Sequence, residues 1–258
     1  KKAFGHLQIN RITRQQIQAF HTQVREEGLA PASCDHYLKL LRQALNLAVD
    51  WEMLDRNPAA RVPLFNIDNK IERYLDEKQL EKLMYVLIND GNRPVCSIVM
   101  YLLSTGARLN EALQAKWVHI DRRQKVWSIP SEISKSKRMR SVPLNDTALA
   151  ILDDLETEGK YDHLFVNTKT GKPYTSIHKV FRRLRLEAGL PHLRIHDLRH
   201  AFASYLISNN RSLFEVQQIL GHSSPIVPQR SAHLSPKALQ DATSAASDVI
   251  TDAMPESK

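Results

Sequence analysis

A single interruption of the helical periodicity limits what this chain of 258 residues can fold into. Pro58 and Pro63, followed by a mainly polar stretch, offer no continuous apolar face that a helix or a strand could bury. The length of the chain allows one large domain or two smaller ones. We therefore predict two units, residues 1–66 and 73–258, joined by a linker at residues 67–72.

The shorter first unit is predicted to be entirely helical. Apolar residues recur at spacings of three and four between Thr13, a good N-cap, and Gly28, a typical helix stop. A second helix is predicted from Ser33, which can cap it, to the region of residues 51–54. These two helices would bury their apolar faces against each other.

The longer second unit is predicted to be mostly helical with a small sheet. Asp76 can cap a helix over residues 77–88, and Pro94 opens a more apolar helix that reaches Leu103. Short strands are expected at 117–120, 126–129 and 141–144. Further helices are expected at 147–158, 176–188, 197–208, 213–220 and 236–250. The predicted fold class is mainly α with a small antiparallel β-sheet.

The charge balance points to a polyanionic partner. The chain has 36 Lys and Arg against 28 Asp and Glu, a formal net charge of +8, which makes double-stranded DNA the first candidate. No apolar run approaches the length of a membrane span, so we expect no membrane partner. Cys34 and Cys96 form no CxxC pair, which disfavours zinc knuckles and disulfide scaffolds and favours a cytoplasmic location. Because the chain starts at Lys1 rather than Met, we expect a fragment.

Two clusters of basic residues stand out within this balance. One spans Lys135 to Arg140 on a predicted hairpin turn, and the other lies within residues 179–185 of one predicted helix. Each alone could be an ordinary solvated face, but two of them on a basic chain favour DNA contact. The predicted DNA-contacting residues are Lys137, Arg138, Arg140, Lys179, Arg182 and Arg183.

A few residues have the spacing of an anion site. Arg108 follows a glycine turn, and Glu111 lies three residues on, where it can pair with the guanidinium. His196 and Arg199 are one helical turn apart near a helix N-terminus, where anions are favoured. A zinc site at His196 and His200 is disfavoured, because the glutamate of a metalloprotease helix is missing and a cation lies between them. A serine hydrolase is disfavoured because the chain has no GxSxG elbow.

Four segments of the sequence then match a known pattern in order and spacing. They are TGARLNEAL at 105–113, KSKRMRSVPL at 135–144, HDLRH at 196–200 and LGHSS at 220–224. Together they resemble the catalytic boxes of the tyrosine recombinases, the phage integrase family. The resemblance implies a helical core-binding domain in the first unit and an α+β catalytic domain in the second.

The family reaction is a metal-free phosphoryl transfer that needs no cofactor. A tyrosine attacks the scissile DNA phosphate, which leaves a 3′-phosphotyrosyl bond and a free 5′-hydroxyl. By this resemblance Arg108 and Arg199 would clamp the non-bridging oxygens, because a guanidinium donates two parallel charged hydrogen bonds. Lys135 would protonate the leaving oxygen, and His196 and His222 would bind the phosphate and assist proton transfer.

The sequence departs from the family at the nucleophile. Where relatives read like GHSSPIVTQRYAHL, this chain reads GHSSPIVPQRSAHL, with Ser231 in place of the tyrosine and no tyrosine beyond Tyr205. A serine is shorter by a phenyl ring and far less acidic than a phenol of pKa about 10. We therefore predict that the chain does not cleave DNA. The serine is either a substitution made to hold uncleaved DNA or a natural loss, and the other intact boxes favour the former.

These patterns lead to one prediction of function with two alternatives. We predict an integrase-type site-specific recombinase in a cleavage-deficient form that binds duplex DNA as a clamp, assembles as a homotetramer on synapsed sites and associates with the nucleoid. The alternative is a non-catalytic DNA-binding or architectural protein of the same fold. A type IB topoisomerase shares the chemistry, but the bacterial-integrase-like wording of the boxes argues against it.

Overall fold

The computed structural model describes residues 3–65, 75–134, 137–209, 211–221 and 236–253. The chain divides into two compact units, residues 1–71 and 72–258. Most of the described residues are helical, and three short strands form an antiparallel sheet. The predicted fold class is therefore confirmed.

The first unit is built on two helices, α1 (Arg14–Glu26) and α2 (Pro31–Asp50). Thr13 caps α1 as predicted, since its side chain accepts from the backbone of Gln16 while the Gln16 side chain accepts from the Thr13 N–H at 2.9 Å. The predicted start of α2 at Ser33 is wrong. The helix begins at Pro31, because proline has a preset φ and needs no N–H partner in the first turn.

The elements of the second unit follow one another in the order of the chain. The helices are α3 (Glu77–Asn89), α4 (Arg93–Thr105), α5 (Leu109–Leu113), α6 (Asp146–Asp153), α7 (His178–Glu187), α8 (Ile195–Ser208), α9 (Leu213–Leu220) and α10 (Pro236–Asp252). The strands are β1 (Ile120–Asp121), β2 (Val126–Ile129), β3 (Arg140–Pro143), β4 (Val166–Asn167) and β5 (Lys172–Pro173). Helix α4 is buried from Val95 to Thr105 and contacts α3, α6, α8 and α10. It is the central helix of the unit.

The sheet has the order β1-β2-β3, with antiparallel neighbours throughout. Trp127 pairs with Val142 and Ile129 pairs with Arg140. Trp127, Ile129 and Val142 are buried in the core. Because side chains alternate along a strand, Arg140 lies on the same inward face as Val142.

Several elements of the second unit differ from prediction. Residues 117–119 form a 3-10 turn instead of a strand, which leaves β1 only two residues long. Helix α6 ends at Asp153 rather than at 158, and the Thr157 hydroxyl beyond it donates to the carbonyl of Leu164 at 2.7 Å. The hairpin of β4 and β5 was not predicted, because strands of two residues are too short to show an alternating pattern.

The C-terminal helix α10 belongs to the core of its own unit. Ala246 and Ile250 are fully buried. Asn145 at the start of α6 donates to the carbonyl of Thr243 at 3.2 Å and to that of Ser104 at 2.9 Å. One amide side chain thus ties α10 to the last turn of α4.

The described ranges also bear on membranes and metals. Within them, no helix is long and apolar enough to cross a bilayer. Within the same ranges, no three His, Cys, Asp or Glu side chains come together as metal ligands would.

Candidate active site

The site begins at a turn that only glycine fits. Gly106 ends α4 with φ of 61°, in the left-handed region. A Cβ atom at this position would lie 2.4 Å from Cδ1 of Phe202 on α8 and 2.8 Å from Cδ2 of Leu220 on α9. The turn therefore brings α4, α8 and α9 into close contact and directs the chain into the Arg108 segment.

We expect Gly106→Ala to lower the free energy of unfolding by about 2–5 kcal/mol, since it combines left-handed strain of about 1–2 kcal/mol with overpacking of about 1–3 kcal/mol. Gly189→Ala is the matched control, because Gly189 has φ of 70° but nothing within 4 Å of its Cβ position. Gly189→Ala should lower the free energy of unfolding only by the left-handed strain, about 1–2 kcal/mol. Urea unfolding of both variants measures the difference, and equal losses would contradict the packing argument.

Arg199 on α8 lies directly behind this turn. Arg199 is buried, with 5% of its surface exposed. Nη1 donates to the carbonyl of Gly106 at 2.6 Å, and Nη2 donates to the carbonyl of Leu220 at 2.7 Å. The guanidinium thus joins the segment before Arg108 to the segment before His222.

Arg108 is oriented by a buried carboxylate, as the sequence spacing predicts. Its backbone N–H donates to Oε2 of Glu111 at 2.9 Å, and its Nη1 donates to Oε1 at 3.0 Å. Glu111 is 1% exposed, whereas the Arg108 side chain is 27% exposed. The predicted ion pair is confirmed, and it leaves part of the guanidinium open to a ligand.

Arg140 does not lie on an exposed turn as the sequence analysis predicts. Its side chain is 10% exposed and points inward from β3. Nη2 donates to Oε2 of Glu111 at 2.7 Å, and Nη1 donates to the carbonyl of Ile219 at 3.1 Å. Inward alternation with Val142 is the signal in the sequence that points to this placement, whereas the charge of the cluster alone favours a hairpin turn.

Two guanidiniums, those of Arg108 and Arg140, bond the Glu111 carboxylate, and Arg199 lies close enough to interact electrostatically with all three, which leaves an excess of positive charge. Burial alone would raise the pKa of Glu111, but the Arg140 charge and hydrogen bonds from Arg140 and Arg108 lower it. Burial and the charges of Arg108 and Arg140 lower the pKa of Arg199 to about 9, which still leaves it a cation at neutral pH. A bound oxyanion would relieve the repulsion among the arginines. The cluster is therefore suited to hold a phosphate.

His196 lies in the first turn of α8, which is held by a capping pair. The backbone N–H of Arg194 donates to Oδ2 of the buried Asp197 at 2.8 Å. The rings of His196 and His200 are nearly perpendicular, with centroids 4.8 Å apart. Burial, His200 and Arg199 lower the pKa of His196, which favours the neutral imidazole near pH 7. A neutral ring can donate one hydrogen bond and accept another.

The other predicted DNA contacts differ in how free their charges are. Lys137 and Arg138 are exposed just before β3. Lys179 and Arg182 are exposed on α7, and no described carboxylate pairs with them. Arg183 instead bonds Asp90 at 3.0 Å and Glu187 at 3.0 Å, and its hydrogen bond lowers the pKa of Asp90 to about 2.

Three predicted catalytic positions, Lys135, His222 and Ser231, lie outside the described residues. Gly221, which precedes His222, ends α9 with φ of 65°. The structure thus places Arg108 and Arg140 on Glu111, with Arg199 nearby and His196 on the same helix as Arg199. Arg140 was predicted as a DNA contact and not as part of this cluster. Glu111 was predicted to pair with Arg108 alone, and its second arginine could not be read from local spacing.

Comparison with known proteins identifies the family of this chain. Residues 73–237 match the sequence model of the phage integrase family. The chain belongs to the phage integrase family. One relative is the integrase of Salmonella phage P22, 31% identical over 218 residues that cover 80% of this chain and 54% of the phage protein. The chain thus spans about half the length of that relative.

Other members of the phage integrase family are similar over most of their length. The tyrosine recombinase XerD of Oceanobacillus iheyensis is 26% identical over 247 residues, covering 90% of this chain and 81% of XerD. A crystal structure of a lambda integrase tetramer bound to a Holliday junction has a TM-score of 0.65 at 20% identity, covering 83% of this chain and 65% of that one. At this identity the likeness shows the fold.

Proposed function

We propose that this chain is an integrase-type site-specific DNA recombinase in a cleavage-deficient form. The observation that carries the proposal is the cluster of three arginines with one carboxylate, in which Arg108 and Arg140 bond Glu111 and the buried Arg199 adds a third nearby positive charge. An excess of fixed guanidinium charge at a partly open position favours a phosphodiester, which carries one negative charge on two non-bridging oxygens. Membership of the phage integrase family supports DNA as the source of that phosphate.

The proposed reaction of a nucleophile-competent form follows from the residues and the family resemblance. A tyrosine oxygen would form a bond to the scissile phosphorus while the bond to the 5′-oxygen breaks, which leaves a 3′-phosphotyrosyl linkage. Arg108 and Arg199 would hold the non-bridging oxygens as negative charge develops on them. Lys135 would protonate the departing 5′-oxygen, while His196 and His222 would hydrogen-bond the phosphate and assist transfer of the proton that the attacking tyrosine hydroxyl loses. The reaction needs no metal or cofactor.

Ser231 is the reason to propose that the chain binds DNA without cutting it. The serine oxygen falls short of the position of a phenol oxygen by the length of a ring, and its hydroxyl is much less acidic. The same serine favours a second candidate function, a non-catalytic DNA-binding or architectural protein. Restoring the tyrosine separates the two, because only the first candidate should then form a covalent adduct with DNA.

The proposal also assigns roles to the two units and to the assembly. Residues 1–66 would act as the core-binding domain and residues 73–258 as the catalytic domain, with 67–72 as the linker. The partner would be duplex DNA, held by a homotetramer on synapsed sites in the cytoplasm, as the lambda integrase tetramer on a Holliday junction suggests. A truncation that removes α10 would not be a clean test of tetramer assembly, because α10 packs into the second unit and its loss would expose the core of that unit.

Binding to duplex DNA should be dominated by phosphate contacts. We expect the logarithm of affinity to fall with the logarithm of salt concentration with a slope of several units, because each neutralised phosphate releases counterions. Lys179→Ala and Arg182→Ala should each reduce the slope by about one unit and weaken all duplex sequences alike. Fluorescence anisotropy with unrelated duplexes at several salt concentrations measures both effects.

The neighbouring Arg183→Ala is the matched control on the same helix. Its guanidinium already bonds Asp90 and Glu187, so its removal should change the salt slope less than that of Arg182. A loss confined to one DNA sequence would instead make Arg182 a base-reading residue. An affinity that does not respond to salt would contradict binding through the phosphates.

A further inference from the structure

Arg140 joins three separate segments of the second unit through one guanidinium. It lies in β3, and its Nη2 donates to Glu111 on α5 at 2.7 Å. Its Nη1 donates to the carbonyl of Ile219 near the end of α9 at 3.1 Å. The partners are 29 and 79 residues away along the chain, so this contact depends on the folded arrangement.

Two features of the sequence fit this contact. Arg140 shares the inward face of β3 with Val142, whose side chain is fully buried. Gly221 lies against the arginine, and a Cβ atom there would come within 2.6 Å of Cδ of Arg140. Gly221 also has φ of 65°, which glycine adopts most easily. The inward face of β3 therefore directs the Arg140 side chain into the unit, and the missing side chain at Gly221 leaves room for it.

The contact also controls the direction of the carboxylate that orients Arg108. Oε1 of Glu111 accepts a hydrogen bond from the guanidinium of Arg108, while Oε2 accepts hydrogen bonds from Arg140 and from the backbone N–H of Arg108. Hydrogen bonds from both sides fix the direction of this carboxylate. Without Arg140, one buried oxygen would lose a charged partner, and the carboxylate would be free to draw Arg108 away from a ligand.

We propose that Arg140 is a positioning residue for the phosphate chemistry. It acts through Glu111 on Arg108, and through Ile219 on the segment that continues past Gly221 to His222. In the sequence, Arg140 follows Lys135 within the same box. One side chain thereby links three of the four box segments, and the exception is α8 with His196 and Arg199. This inference rests on the recombinase function proposed above.

The first test separates positioning from DNA binding. In a Ser231→Tyr protein, Arg140→Gln should lower the single-turnover rate of adduct formation at saturating DNA by about 10- to 100-fold, the scale of a small misplacement of reacting groups. The Kd for the same duplex should change by less than about threefold. Arg140→Lys keeps the charge but cannot bridge both acceptors, so it should show a smaller loss of rate. A raised Kd with an unchanged rate at saturation would overturn the proposal.

Arg93→Gln is the matched control for a purely structural arginine. Arg93 Nη1 donates to the carbonyls of Leu87 at 2.8 Å and Ile88 at 3.0 Å, at the end of α4 opposite Gly106. Loss of the Arg93 hydrogen bonds should lower the temperature midpoint of unfolding. At temperatures below that midpoint, the rate of adduct formation should be unchanged. If Arg93→Gln slows the reaction as much as Arg140→Gln does, the effect belongs to stability and the proposal fails.

A second measurement needs no nucleophile and uses the chain with Ser231. Arg140→Gln should speed amide hydrogen exchange both at residues 109–113 and at residues 216–221, whereas Arg93→Gln should speed it at neither. Unchanged exchange at both segments would overturn the proposal. If Ser231→Tyr alone forms no adduct, the recombinase function fails, and the exchange result still decides whether Arg140 fixes the two segments.

Discussion

Replacing Ser231 with tyrosine is expected to restore a covalent adduct between this protein and duplex DNA. Under the proposed function, Arg108 and Arg199 bind the scissile phosphate, and the phenolic nucleophile is the group that Ser231 does not supply. A duplex that binds the protein is first selected from a randomised DNA library. A nick is then placed next to each candidate scissile phosphate, so that cleavage releases a short strand that diffuses away and the adduct accumulates. Denaturing gels of labelled DNA show the adduct as a species of low mobility.

Ser231→Phe is the control, because it restores the ring without the nucleophilic oxygen and should form no adduct. In the Ser231→Tyr protein, Arg108→Ala or Arg199→Ala should lower the cleavage rate by about 10²- to 10³-fold or more, the scale of one preorganised charge stabiliser. Binding should change much less. Absence of any adduct on an enriched duplex would favour the non-catalytic binder, and an adduct with Ser231 itself would refute the nucleophile assignment.

Removing the Glu111 carboxylate is expected to destabilise the protein strongly. Glu111→Ala leaves Arg140, which is nine-tenths buried, without its carboxylate, and breaking a buried ion pair costs about 3–5 kcal/mol. Glu215→Ala is the matched control, because Glu215 also caps a helix three residues after its N-cap, but its carboxylate accepts its hydrogen bonds from Ser212 and interacts with Arg211 only through charge. It should cost about 1 kcal/mol. Urea unfolding at pH 7 compares the two variants.

The pH dependence of the Glu111 contribution has a defined sign. The pKa of Glu111 is lowered in the folded state, so the folded protein binds this proton more weakly than the unfolded chain does. The stability difference between the parent and Glu111→Gln should be constant from neutral pH down to the ordinary glutamate pKa of about 4.5, and should shrink as the pH falls further. A difference that grows in acid would contradict the paired carboxylate.

Prediction from sequence succeeded where the determining interactions are local. The caps at Thr13 and Asp76 and the bounds of α9 depend on residues within one helical turn of each other. The Arg108–Glu111 pair has the same local character. Prediction failed at the start of α2, because a serine cap and a first-turn proline are both typical helix starts. It also failed at residues 117–119, because a 3-10 turn of three residues has almost the same apolar pattern as a short strand.

The sequence by itself determined that this chain is mainly helical, that its glycine turn directs Arg108 to a helix start, and that it belongs with the tyrosine recombinases by its boxes. Only the tertiary structure decided what Arg140 does, because its partners at Glu111 and Ile219 lie 29 and 79 residues away. It likewise decided that α10 is a core helix. Helical and strand periodicity record which face of an element is apolar, whereas the partner of a buried charge depends on how separate elements pack.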